Sequence, residues 1–284
     1  MQKLFHKILI LAFLGLLVQV TPTLAQITAH QVTDRPPDVG RVTNVSNNWA
    51  GYIATGGSFT SVAGSWVVPQ VNATQTSADA TWIGIGGMTH SDLIQTGTQA
   101  IVNNNGQISY QAWYEMLPSN SHKIPLTINP GDSISASIVR QSTNQWTISM
   151  RDDTTGQNYQ TTVTYASSLS SAEWIEEMPV RGRSFIPLDN FGSVQFSALS
   201  TVRDGTELTP AQANAHFIVM DNYLGQVLAQ PSAMGSDGAS FTVSRTDSTS
   251  AQAGWHRVIT GVHGHQPLYR QGHGRGRFSS RFEE

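Results

Sequence analysis

A chain of 284 residues has room for one large all-β domain or two smaller ones. It contains no cysteine, which excludes disulfides, cysteine nucleophiles and zinc–thiolate sites. Charged residues make up 12% of it, about half the usual share, and the central region carries no basic stripe that would mark a nucleic-acid footprint.

The N-terminus reads as an export signal. Lys3 and Lys7 precede an apolar run from Ile8 to Val20, and Thr23-Leu24-Ala25 resembles a cleavage site. The run is short for a membrane span, so residues 1–25 are expected to be a signal peptide and no membrane association is expected after its removal. Residues 26–45, with Arg35-Pro36-Pro37-Asp38 and few apolar anchors, read as a linker or pro-segment. Beyond Lys7 the one lysine is Lys123; the surface is built from Ser, Thr, Asn, Gln and Gly. Such a surface gains little positive charge in acid and repels itself little there, a composition suited to an acidic medium.

From Asn47 onward short strands alternate with turn signals. Trp49–Ile53 precedes the turn Thr55-Gly56-Gly57-Ser58, and Phe59–Val68 is closed by Pro69. Ala80–Gly87 runs into a glycine turn. Ile94–Val102 and Ile108–Leu117 flank the hairpin signal Asn103-Asn104-Asn105-Gly106. Leu126–Ile128, Ser133–Arg140, Gln145–Arg151 and Tyr159–Tyr165 follow, with Trp146, Ile148 and Met150 alternating with polar residues as in a half-buried strand. Later strands are expected near Val194–Leu199, His216–Met220 and Ser240–Val243. No helix longer than two turns and no internal repeat is apparent. Many evenly spaced strands within residues 46–250 predict an all-β sandwich. Residues 251–284, rich in His and Arg, read as a disordered polar tail; metal binding by His263 and His265 is weakly supported.

The chemistry points to carboxylates and amides. There is no Gly-x-Ser-x-Gly elbow and no His-Glu-x-x-His motif, and His90, His122 and His216 sit in unrelated contexts. The stretch Ser171-Ala172-Glu173-Trp174-Ile175-Glu176-Glu177 places three carboxylates in five positions beside large apolar side chains. On a strand, Glu173, Ile175 and Glu177 share one face. Carboxylates on an apolar strand are costly unless paired or used. The remaining candidates are Gln95 and Glu115.

Taken in order, several segments resemble the glutamic peptidases, or eqolisins. They include Asn48-Trp49-Ala50-Gly51, Trp82-Ile83-Gly84-Ile85, Leu93-Ile94-Gln95-Thr96-Gly97, Ala112-Trp113-Tyr114-Glu115, Pro130-Gly131-Asp132-Ser133-Ile134 and Ala172-Glu173-Trp174-Ile175-Glu176-Glu177. The resemblance spans roughly residues 47–245. It implies a sandwich of two antiparallel sheets of the concanavalin A-like, jelly-roll type. It also implies a secreted peptidase that cleaves protein or peptide substrates in acid without cofactor or metal, and a monomer is expected. The catalytic pair maps onto Gln95 and Glu177, with Trp82 and Glu115 shaping the cleft and Trp113 lining it or packing in the core. This chain departs from the family pattern at Gly86-Gly87, Gln99 and Gln111, which stand where acidic residues are usual, and in its lack of cysteine. A second reading of the same residues is a carbohydrate-active sandwich. It would be either a glycoside hydrolase using Glu115 and Glu177 across a glycosidic bond or a sugar-binding module.

Overall fold

The structure is a computed structural model that describes residues 44–246, apart from 89, 182, 183 and 223. The expected signal peptide, all but the end of the linker, and the His/Arg-rich tail with His263 and His265 lie outside the described residues. The chain forms strands β1 (Val45–Ser46), β2 (Trp49–Thr55), β3 (Phe59–Val67), β4 (Ser77–Gly86), β5 (Leu93–Val102), β6 (Ile108–Met116), β7 (His122–Ile124), β8 (Ser133–Arg140) and β9 (Gln145–Asp152). It continues through β10 (Asn158–Thr164), β11 (Ser171–Glu177), β12 (Val180–Arg181), β13 (Ser184–Phe185), β14 (Ser193–Arg203), β15 (Thr206–Leu208), β16 (His216–Asp221), β17 (Val227–Pro231) and β18 (Phe241–Arg245). No helix occurs among the described residues.

The all-β expectation holds, and all the strands but β12 and β13, which pair with each other, join one ladder. It runs unbroken in the order β10-β9-β8-β3-β14-β18-β17-β16-β2-β11-β4-β5-β6-β7. The join is made by β17, which pairs with both β16 and β18. The sheet curls over itself, and two tryptophans tie its halves together across the interior. Trp66 on β3 donates its indole N–H to Thr98 Oγ1 on β5 at 2.9 Å, and Trp174 on β11 donates to the Ala63 carbonyl on β3 at 2.9 Å. A buried indole needs a partner for its N–H, so these bonds fix which strands face each other. Between them lies the main core, including Ile83, Ile85, Ile134, Ile138, Trp146, Phe196 and Val243.

The strand expected at Leu126–Ile128 lies earlier, at His122–Ile124. Pro125 has no N–H to give the ladder, so pairing with β6 ends at Ile124. Leu126 and Ile128 are buried all the same.

Gly97 on β5 fits its neighbours only without a side chain. A Cβ there would stand 2.2 Å from the Thr81 carbonyl oxygen and 2.6 Å from Trp82 Cβ. Neither β4 atom can yield without moving the strand. Gly97→Ala is therefore expected to destabilise the fold by about 1–3 kcal/mol, read as a lowered midpoint in urea unfolding. An unchanged midpoint would contradict this packing of β4 on β5.

Candidate active site

β11 lies between β2 and β4. Its side chains alternate, so Glu173, Ile175 and Glu177 face one side of the sheet, and Ala172, Trp174 and Glu176 the other. Residues directly opposite on neighbouring strands share a face, which extends the first side across four more strands. Ile175 stands in a row with Gly51, Trp82, Gly97 and Trp113; Glu173 with Ile53, Gly84, Gln95 and Glu115; Glu177 with Trp49, Ala80, Gln99 and Gln111. Gln95, Glu177, Trp82, Glu115 and Trp113, the five residues singled out from the sequence, thus stand on one face. All five are buried. Trp49, Trp82 and Trp113 form a small apolar cluster with Ile53, Leu93, Leu117, Ile175 and Ile218, and the Trp49 and Trp82 rings meet edge to face at 5.0 Å.

Hydrogen bonds sort these residues into two linked groups. Gln95 Nε2 donates to Glu115 Oε2 at 2.7 Å. A carboxylate can only accept, so this bond fixes which end of the amide points toward Glu115. Gln95 Oε1 then points elsewhere and meets no protein donor among the described residues. Glu177 is held from two sides: Trp82 Nε1 donates to its Oε2 at 2.8 Å, and Asn48 Nδ2 to its Oε1 at 3.0 Å. Glu115 links the groups electrostatically. Burial first, and then the charge of Glu115, hold the Glu177 carboxyl up at about 8 even with the donors Trp82, Trp49 and Asn48 pulling it down. No direct hydrogen bond joins Gln95 to Glu177.

Asn48 is absent from the residues assigned a role from the sequence. The available signal was its place one residue before Trp49, in a segment that already carried the resemblance. Glu173 sits closer to Gln95 in register than Glu177 does, with side-chain-free Gly84 alone between them. What distinguishes it is its setting. No indole or amide holds it, and burial raises it well above the ordinary range, eased by Ser171 and aggravated by the charge of Asp92.

The arrangement supplies a carboxyl poised by two N–H donors, an amide oriented by a second carboxyl, and indole walls. These are the parts of acid–base chemistry on a bound amide or ester. Among the described residues no group of three or more His, Asp or Glu is arranged to hold a metal ion. A donor to a carboxylate favours its charged form, so Asn48→Leu, which removes one, is expected to move the Glu177 titration further upward. Carboxyl-carbon NMR of the labelled protein reads this directly, and an unchanged or lowered midpoint would show that Asn48 does not hold Glu177.

Comparison with known proteins identifies the family. The Peptidase A4 family profile matches residues 47–245. Aspergillopepsin-2 of Aspergillus niger is 30% identical over 218 residues, covering 67% of this chain and 75% of that protein. Scytalidopepsin B of Scytalidium lignicola is 30% identical over 191 residues, covering 63% and 72%. Among solved structures, scytalido-glutamic peptidase with a peptide-based transition-state analogue superposes with a TM-score of 0.63 at 26% identity, over 71% of this chain and 99% of that one. Aspergilloglutamic peptidase from Aspergillus niger gives 0.54 at 30% identity, over 60% and 99%. The carbohydrate reading gives way to this match. The chain belongs to the Peptidase A4 family and is a glutamic-type endopeptidase.

Proposed function

We propose that this peptidase hydrolyses its substrates with Gln95 and Glu177 as a dyad, is secreted, acts in acid as a monomer, and folds as a two-layer sandwich of jelly-roll type. The observation that carries the dyad is the bonding of its two members. Glu177 is held by Trp82 and Asn48 with its carboxyl aimed into the indole-lined face, and Gln95 is clamped through one N–H by Glu115.

Peptide hydrolysis needs an activated water, a stabilised oxyanion and a protonated leaving amine. Glu177 as carboxylate takes a proton from water while the water oxygen attacks the scissile carbonyl carbon. The same carboxyl then returns the proton to the amide nitrogen as the C–N bond breaks. Gln95 keeps a second N–H for the developing oxyanion, and its Oε1, which has no donor from the described chain, is suited to orienting the water. Trp82 is a positioning residue for Glu177, and Glu115 one for Gln95. Trp113 walls the same face with an indole N–H that meets no acceptor among the described residues.

The pH range follows from Glu177. A general base works only when ionised, so activity rises with pH through the carboxyl's pKa in the substrate complex. Action in acid requires that the bound substrate and the reacting water pull Glu177 well below the value of about 8 that burial, Glu115 and its own donors together set.

The dyad is tested by substitution, with folding checked by circular dichroism. Glu177→Gln removes the proton acceptor with little change of shape, and cleavage of denatured casein at about pH 3.5 is expected to fall by about two to four orders of magnitude. Gln95→Glu replaces an oxyanion donor, with an expected loss of about two to three orders. Glu173→Gln is expected to retain most activity. A dead Glu173→Gln beside an active Glu177→Gln would transfer the role to the residue in register with Gln95. A wild-type acid limb near pH 8 would sink acid action and leave the dyad standing.

A further inference from the structure

Behind the catalytic face lies a second group of buried carboxyls, which the reaction does not use. Asp79 on β4, Glu176 on β11 and Asp189 in the segment after β13 are all buried. Glu176 follows the strand alternation to the interior side, opposite Thr81, two residues along β4 from Asp79. Asp189 is brought alongside by its own backbone. Ala78 N–H donates to the Pro187 carbonyl at 2.9 Å, and Asp189 N–H to the Ala78 carbonyl at 3.3 Å. Three segments distant in sequence thus meet at one end of the core.

As carboxylates these groups could not be satisfied. Asp79 Oδ1 accepts the Ala100 N–H at 3.0 Å, and Glu176 Oε2 accepts from Thr81 Oγ1 at 2.7 Å. Glu176 Oε1 and both Asp189 oxygens meet no donor. Among the described residues, two other charged or titratable groups face the cluster. Tyr110 lies on β6 in the same cross-strand row as Asp79 and Ala100, where its hydroxyl accepts the Val71 N–H. Arg245, at the end of β18, reaches the backbone carbonyl of Asp189 at 3.1 Å and acts on Asp189 through its charge. One cation faces three buried carboxyls. Protons resolve the conflict, because a protonated Glu176 or Asp189 can donate to Asp79.

We propose that Asp79, Glu176 and Asp189 form a proton-dependent latch, in which Glu176 and Asp189 are carboxylic acids donating hydrogen bonds to Asp79, and that loss of these protons unfastens β4 from β11 beside Glu177. The latch adjoins the catalytic residue on both strands: Glu176 precedes Glu177, and Asp79 precedes Ala80, which lies opposite Glu177. The directions of titration agree with the geometry. Burial raises all three carboxyls. The Ala100 N–H first, and then the two donor acids, pull Asp79 back, leaving it at about 6, while sharing with Asp79 drives Glu176 and Asp189 further up. Groups whose folded pKa is raised contribute stability fully at pH below their unfolded value and lose it as pH rises through the folded one. The folded protein is therefore expected to weaken as pH rises from about 4 through about 6 and beyond, with its folding constant falling about tenfold per pH unit for each proton retained over the unfolded chain.

The test is folding stability, which is independent of the catalytic assignment. Thermal melts of the full secreted protein are followed by circular dichroism from about pH 3 to about pH 8. Glu176→Gln combined with Asp189→Asn replaces both acids by amides that donate at any pH. The melting temperature of the unsubstituted protein is expected to fall across the upper half of this range, and that of the double variant to fall by at most half as much. A flat profile in the unsubstituted protein, or parallel profiles in the two, overturns the latch. Should the double variant fail to fold, carboxyl-carbon NMR of the unsubstituted protein decides. Linked titrations of Asp79 and Asp189 displaced upward support the latch, and independent titrations at ordinary values overturn it.

Discussion

Two adjacent glutamates, Glu176 and Glu177, are both wholly buried on opposite faces of one strand, and much of the molecule is arranged around the electrostatic demand this makes. A buried carboxyl must find donors or hold a proton. Glu177 finds donors: the Trp82 indole and the Asn48 amide. Glu176 has a single hydroxyl, Thr81, and two carboxyl neighbours. One pleat step separates a carboxyl with donors for its charged form from one that lacks them.

The strand pairing makes this division possible. β11 is flanked by β2 and, from Ala172 to Glu177, by β4, so neither of its edges is open. β2 brings Asn48 and Trp49 to the Glu177 end, while β4 brings Trp82 to the front and Thr81 and Asp79 to the back. Because alternation is fixed by the backbone, a slip of one residue between β4 and β11 would exchange the indole donor for the carboxyl cluster. The tryptophans that cross the core, Trp66 to β5 and Trp174 to β3, and the tight passage of Gly97 beneath Trp82, hold that register.

Much of this was legible in the sequence, and the parts that were not share a physical reason. Strands with clean alternation, such as Gln145–Asp152 with buried Trp146, Ile148 and Met150, lie where periodicity puts them. The candidates Gln95, Glu115, Glu177, Trp82 and Trp113 come to one face because each sits in a strand whose alternation could be read. The unbroken ladder was not legible: β17 is a short run ending in proline, without a repeat, and it is the strand that joins the two halves. Asp79 and Asp189 were also invisible as partners of Glu176. Asp189 belongs to no named strand, and the parallel bridge of Ala78 with Leu188 that delivers it is a long-range backbone contact without a motif. Carboxyls gathered by topology leave no spacing to recognise.

The sparse surface charge and the crowded buried charge have linked consequences in acid. A fold that works in acid must avoid the self-repulsion that follows when surface carboxylates are neutralised and cations remain. This chain carries few charges of either sign, with Lys123 as the single lysine beyond the first residues, and would meet little of that repulsion. The carboxyls moved inside then gain from acid what surface carboxylates lose, because protonation supplies the donors that Glu176 and Asp189 otherwise lack. Glu177 is the exception, a buried carboxyl supplied with N–H donors. Its indole and amide donors offset part of the cost of ionising in a buried site, where a neighbouring cation would depress the pKa, and with it the basicity, further.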